Sequence, residues 1–180
     1  MNTWRNLPGK IWVTMVSLDP RLRSRSRRAA SRLSAGEGGL FLAMSRYDLA
    51  HCMAVAARLE DDPLLHRAGL LHDAGKLRDE LGILARWLYI GMELLMPGRL
   101  RIACAVVDGR VAGGGAMEGM RSLPRGWRRG VYVQLHHGEI AAELLTDLGS
   151  EEELVRLVRR HQCEPGDELE RRLREIDDTL

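Results

Sequence analysis

The sequence predicts an all-α protein. Three observations carry that expectation. Apolar residues recur at three- and four-residue steps from Gly39 onward, and helix start and stop residues bound the periodic segments. Strand-like character is confined to VYVQL at 131–135, which is too short to build a sheet. At 180 residues the chain is long enough for one domain with a sizeable core and short for two. The expected division is an N-terminal extension over residues 1–38, helical or partly mobile, followed by a helical domain over 39–180.

Each element has its own signal. In the extension, RLRSRSRRAASR sets Arg21, Arg23, Arg25, Arg27, Arg28 and Arg32 among small and apolar residues. That pattern reads as a solvated helix or basic arm with a possible attraction to anions. LFLAMSRYDLAHCMAVAARL places Leu42, Leu49, Met53 and Ala56 or Ala57 on one stripe, with Arg46, Asp48 and Arg58 off it. Asp62 and Pro63 are an N-cap and a first helical residue. The helix they open runs through LLHRAGLLHD and stops near Gly75. Apolar segments follow at 83–96 and 100–107, separated at Pro97-Gly98. The glycine-rich stretch 108–130 reads as a flexible loop. HHGEIAAELLTDLG is an amphipathic helix ending at Gly149, and SEEELVRLVRRHQ opens with a Ser150/Glu153 capping box. The last helix, 167–180, aligns Leu169, Leu173 and Ile176.

Composition excludes several classes. Basic and acidic residues number 27 and 25, leaving a net charge of +2, so bulk electrostatics give no reason to expect a nucleic-acid partner. Lys10 and Lys76 are the only lysines. Cys52, Cys104 and Cys163 are odd in number and lack a C-x-x-C pair, which fits reduced cysteines in a cytoplasmic protein. The most apolar run, 84–96, is short for a transmembrane segment and holds Arg86 and Glu93. No signal peptide is expected.

The chemistry gathers on histidine and aspartate. AGLLHDAGKL ends an apolar run on adjacent His72 and Asp73, whose side chains leave a helix about 100° apart. Both could serve one centre only at a helix end or between two cations. His51 lies on or beside the core stripe of its helix, His137 opens a later helix, His161 closes the next, and Asp177 comes near the end of the last. A bundle interior can offer such nitrogen and oxygen donors from facing helices to a divalent cation.

In order and approximate spacing, His51, His72-Asp73 and Asp177 resemble the H…HD…D signature of the HD superfamily of metal-dependent phosphohydrolases. AGLLHDAGK resembles that family's HDxGK element, and HHGEIAAELL with LVRRHQ resembles the extra histidine segments of its two-metal branch. The resemblance spans 39–178. It implies an HD-type helical bundle with the basic extension in front. It also implies one metal on His51, His72, Asp73 and Asp177 and a second completed by His137 and His161, with Asp73 bridging. His136 and Asp178 are exchangeable with His137 and Asp177 by a one-residue shift. Lys76, after the HD pair, would meet a substrate phosphate. His66 matches nothing and is expected at the surface. No GYP-type motif is present, against the cyclic-di-GMP-specific subgroup, and no further substrate-binding module is expected after Asp178.

The implied activity is hydrolysis of phosphomonoesters or phosphodiesters, with nucleotides as the substrate class, by a metal-activated water. Asp73 and Lys76 are the candidate catalytic residues. The cofactor would be one or two divalent ions, and a donor set without cysteine suits Fe, Mn, Mg, Co or Ni over structural zinc. Arg125, Arg128, Arg129 and Trp127 precede the histidine pair as candidate substrate contacts, with a solvated loop as the simpler expectation for the arginines and core burial for Trp127. Arg46 lies too far round its helix from His51 to be assigned. The competing class is a catalytically silent HD module that binds metal and a nucleotide or protein partner.

Overall fold

Helix signals of the kind just described account for most elements of the computed structural model, which describes residues 4–77, 83–111 and 114–180 (backbone alone at 83–85). Residues 1–3 of the expected extension and 112–113 of the expected loop lie outside these. Among the described residues there are eleven helices and no strand. The fold is an all-α bundle.

The first helices belong to the N-terminal segment: α1 (Leu7–Ser17) and α2 (Leu22–Ala30). Both are docked, since Val13 and Leu22 are fully buried in the main core beside residues of α4. The six arginines of this segment remain exposed. The single stripe expected over 40–59 is two helices, α3 (Ala35–Leu42) and α4 (Arg46–Ala56). Ser45 breaks it: its hydroxyl accepts from the Asp48 backbone N–H and restarts the helix, so Leu42 ends half-exposed rather than on a shared face. A Ser34/Glu37 capping box opens α3.

Helix α5 (Pro63–Leu71) starts as expected, with Asp62 accepting from the Leu64 and Leu65 N–H groups, and His72 is its C-cap. Next come α6 (Ile83–Leu95) and α7 (Pro97–Asp108). Part of the expected loop is helical: α8 spans Ala116–Ser122, and α9 spans Trp127–Asp147. Helix α9 thus begins nine residues before the sequence pattern shows it, absorbs VYVQL, and carries His137 at its middle. Its N-terminal half buries Val131, Tyr132 and Val133 in a second cluster with Val107, Met120 and Leu123, so tertiary burial overrides β-propensity there. It ends as expected: Gly149 has φ +71, Gly149 N donates to Thr146 O, and Ser150 N donates to Leu145 O, a Schellman stop.

Two helices complete the bundle, α10 (Glu152–Arg160) and α11 (Glu168–Asp177). The expected Ser150 capping box is absent, because Glu151 is the N-cap and the Ser150 hydroxyl instead donates to Glu37 Oε1. Buried Glu170 accepts from Arg156, Arg160 and the Gly166 N–H, and so locks α11 against α10. Helices α4 and α5 form the centre, with α1 and α2 on α4, α10 on α5, and α9 on α10.

Candidate metal centre

One group of histidines and aspartates, most of them buried, converges from five helices. His72 and Asp73 terminate α5, and both are almost wholly inaccessible. His51 reaches them from α4, His137 from α9, His161 from the end of α10 and Asp177 from the end of α11. His51 Nε2 lies 2.8 Å from Asp177 Oδ1 and 3.2 Å from His72 Nε2. His72 Nε2 is 3.5 Å from Asp177 Oδ1. On the other side, His137 Nε2 is 3.1 Å from both Asp73 Oδ1 and His161 Nε2. Asp73 joins the two groups, being 3.8 Å from His51 and 3.7 Å from His72.

The donor chemistry fits a cation. Ligand bonds of about 2.1 Å at tetrahedral or octahedral angles set neighbouring donor atoms roughly 3.0–3.4 Å apart, and the spacings above fall around that range. Tautomers point the same way. His72, His137 and His161 each donate Nδ1–H to the carbonyl three residues back, those of Gly69, Gln134 and Val158. Such bonds fix the ring and leave Nε2 as a bare acceptor. Two lone pairs facing each other 3.1 Å apart in a buried site repel unless positive charge lies between them.

Electrostatics agree. Burial, with His137 and His72 close by, pulls His161 down to about 3, so its ring is neutral. Burial and Lys76 lower His137 as well. Burial resists ionisation of Asp73, yet Lys76, His72 and His137 hold it well below the usual carboxylate range. His72 and His51 do the same for Asp177. Burial also works against charge on His72, but the Cys52, Asp73 and Asp177 side chains push it upward: the carboxylates call for positive charge at this point.

No family model, curated protein or solved structure matches the chain. The structure itself contains His/Asp clusters that could hold a metal ion: His51, His72 and Asp177 in one, Asp73, His137 and His161 in another. Cys52 groups with His72 and Asp73 too. Its sulfur, however, lies 3.9 Å from Nδ1, behind the ring, and burial raises its thiol pKa, so it backs His72 rather than joining the Nε2 face.

The remaining sequence candidates separate. His136 faces away, its two ring nitrogens 2.7 Å from Asp108 and Glu139. Asp178 is exposed at the rim. His66 is half-buried rather than on the surface, with Nδ1 on the Ala56 carbonyl. Arg46 ties the Ser17 and Asp19 carbonyls to α4 and has no place at the centre. Arg125 is exposed beside the start of α9, and Trp127, expected in the core, is exposed there too, because it is the first residue of the helix and lies ahead of the buried run 130–133. Lys76 is nearly buried, with Nζ 2.7 Å and 2.8 Å from the two Asp73 oxygens.

Glycines set the approach of these helices. A Cβ on Gly75 would stand 2.0 Å from the His137 carbonyl oxygen, and one on Gly138 would stand 3.0 Å from that of Arg159. Gly75 does not have a positive φ. It is therefore a contact point that lets α9 cross the HD turn, more than the helix stop its position implies. The centre opens into a cleft with a larger lobe of about 470 Å³ and a smaller lobe of about 50 Å³. Both lobes share Lys10, His51, Asp73, Lys76, Tyr89 and Gln134. Lys10 and Arg86 carry no site signal in the sequence, since one sits in the extension and the other is a lone charge in an apolar run.

Proposed function

We propose that the chain is a metal-dependent phosphohydrolase of the HD superfamily, acting on phosphomonoesters or phosphodiesters of nucleotide type. The observation that carries this reading is the convergence of four imidazoles and two carboxylates, at coordination spacing, on one shared aspartate at the base of a cleft. A cleft of about 470 Å³ is within the usual range for small-molecule sites, and a nucleotide fits that class.

The site residues have separable tasks. Asp73 offers one oxygen toward each cluster and is the only described residue that can serve both. Lys76 pairs with both oxygens of that carboxylate and fixes its rotamer. Three ring nitrogens anchored to backbone carbonyls hold their partners aimed inward before any ligand arrives, which is the preorganisation that transition-state stabilisation requires. His51, His72 and Asp177 form the first cation site; His137, His161 and Asp73 form the second. When bound, divalent cations supply Lewis-acid polarisation of a phosphate and activation of water toward hydroxide. Fe, Mn, Mg, Co and Ni all suit the donors.

The test pairs metal analysis of the purified protein with hydrolysis of aryl phosphomonoesters, aryl phosphodiesters and a broad nucleotide panel in added Mn. Turnover is expected and should vanish in Asp73→Ala while the helical circular dichroism persists. Stoichiometric metal without turnover on the whole panel would refute catalysis and leave a silent metal-binding module. Absence of metal would refute both.

A further inference from the structure

Among the described residues three cations line the smaller lobe of the cleft, and they differ in what they are committed to. Lys76 is taken by both oxygens of Asp73. Arg86 is taken by Asp48, 2.9 Å away and fully buried, and its guanidinium lies over the Tyr47 ring at 4.8 Å. Lys10, from α1, lines both lobes, and no described residue forms an ion pair with its ammonium. It is half-buried, and burial lowers its pKa; Asp177 and Asp73 work against that shift, while Lys76 and Arg86 add to it. A half-buried ammonium without a counter-ion is costly unless something negative meets it.

The two lobes also differ. Whereas the larger lobe adds Glu93, Glu164, Asp177 and Asp178, the smaller lobe brings Lys10, Lys76 and Arg86 together with Asp73 as its only carboxylate among the described residues. Its 50 Å³ holds roughly four waters by the usual measure, about the bulk of one phosphate and well short of a nucleobase. Gln134 borders the same space, and its buried carboxamide oxygen takes no hydrogen bond among the described residues. Carboxamide O and N positions are interchangeable in such assignments, so its NH₂ can face an anion.

We propose that the smaller lobe is a phosphate subsite and that Lys10 is its recognising cation, so that α1 completes the substrate site while Lys76 positions Asp73. The proposal rests on the hydrolase reading for its substrate but not for its test. Titration calorimetry of inorganic phosphate into the Mn-loaded full chain compares wild type with Lys10→Met, Lys10→Arg and Lys76→Met. Lys10→Met is expected to weaken phosphate binding at least tenfold with Mn content and thermal midpoint unchanged. Lys10→Arg should recover most of it, and Lys76→Met should lower Mn content. Because the chain has only two lysines, amine acylation read by peptide mass spectrometry gives a second measurement on the unmodified protein: phosphate should protect Lys10. Phosphate binding that is absent in wild type, or equal in Lys10→Met, overturns the proposal, as does acylation of Lys10 indifferent to phosphate. Phosphate binding that depends on Lys10 in a protein that hydrolyses nothing would sink the hydrolase reading and uphold this one.

Discussion

Asp73 Oδ1 lies 2.7 Å from Lys76 Nζ and 3.1 Å from His137 Nε2, so one carboxylate oxygen meets both a fixed cation and a metal-type donor. Removing the lysine leaves the donor set complete but unanchored. Lys76→Met should therefore lower metal affinity about 10–100-fold, the usual effect of losing a partner behind a ligand. Competition with a fluorescent chelator would check it, and unchanged affinity would mean that the clamp is idle. At this scale the sequence was informative about which residues gather, because ligand-type side chains are conspicuous on apolar helix faces. It was silent about Lys10 and Arg86. Their importance lies in where α1 and α6 pack, and no local pattern encodes that.

Between elements, contact distances decide what the ligands can do. The Gly75 site admits no methyl group without separating α9 from the HD turn. Gly75→Ala should cost about 1–3 kcal/mol, the range for overpacking. It should also release metal from the His137/His161 side before the His51/Asp177 side. Urea unfolding and metal stoichiometry would show both; a variant with two full sites and native stability would contradict this account of the glycine. Glu37 is a second junction: its carboxylate caps α3, accepts from Arg67 of α5, and accepts from the Ser150 hydroxyl between α9 and α10. Burial opposes its charge, but the Ser34, Ser150 and Arg67 bonds prevail and hold its pKa below the usual value. A carboxyl depressed on folding adds stability above its unfolded pKa, near 4.3, and loses it as pH falls through the folded value. Wild type should consequently lose stability more steeply than Glu37→Gln below about pH 5. Denaturant titrations at pH 7 and pH 3.5 would measure it. Helix boundaries were legible where a cap residue stood beside a periodic face, as at Asp62-Pro63 and Gly149. They were hidden at Trp127, where β-branched and aromatic residues of α9 owe their helix to burial against α7 and α8.

For the whole molecule, metal is expected to act as a fastener. A ligand that binds only the folded chain stabilises it by about 2.7 kcal/mol at a concentration of 100 Kd. For a domain of this size that is roughly 5–10 °C in thermal midpoint. Chelation should lower the midpoint by about that much and Mn should restore it, read by calorimetry; indifference to chelator would argue against a structural role for the cation. The all-α architecture was predictable because helix periodicity runs through nearly the whole sequence. The docking of the arginine-bearing segment was not, since Val13 and Leu22 are single apolar residues whose partners lie on distant helices.

Asp177 stands 126 positions after the histidine it meets, with α5, α9 and α10 contributing in between. Ribosomes make the chain from the other end. A nascent polypeptide can bury α4 and α5 early, yet it presents no complete pair of cation sites until α11 has emerged and turned back across them. On the proposed reading, loading is a late event in the life of each molecule, and one that certifies the final helix is in place.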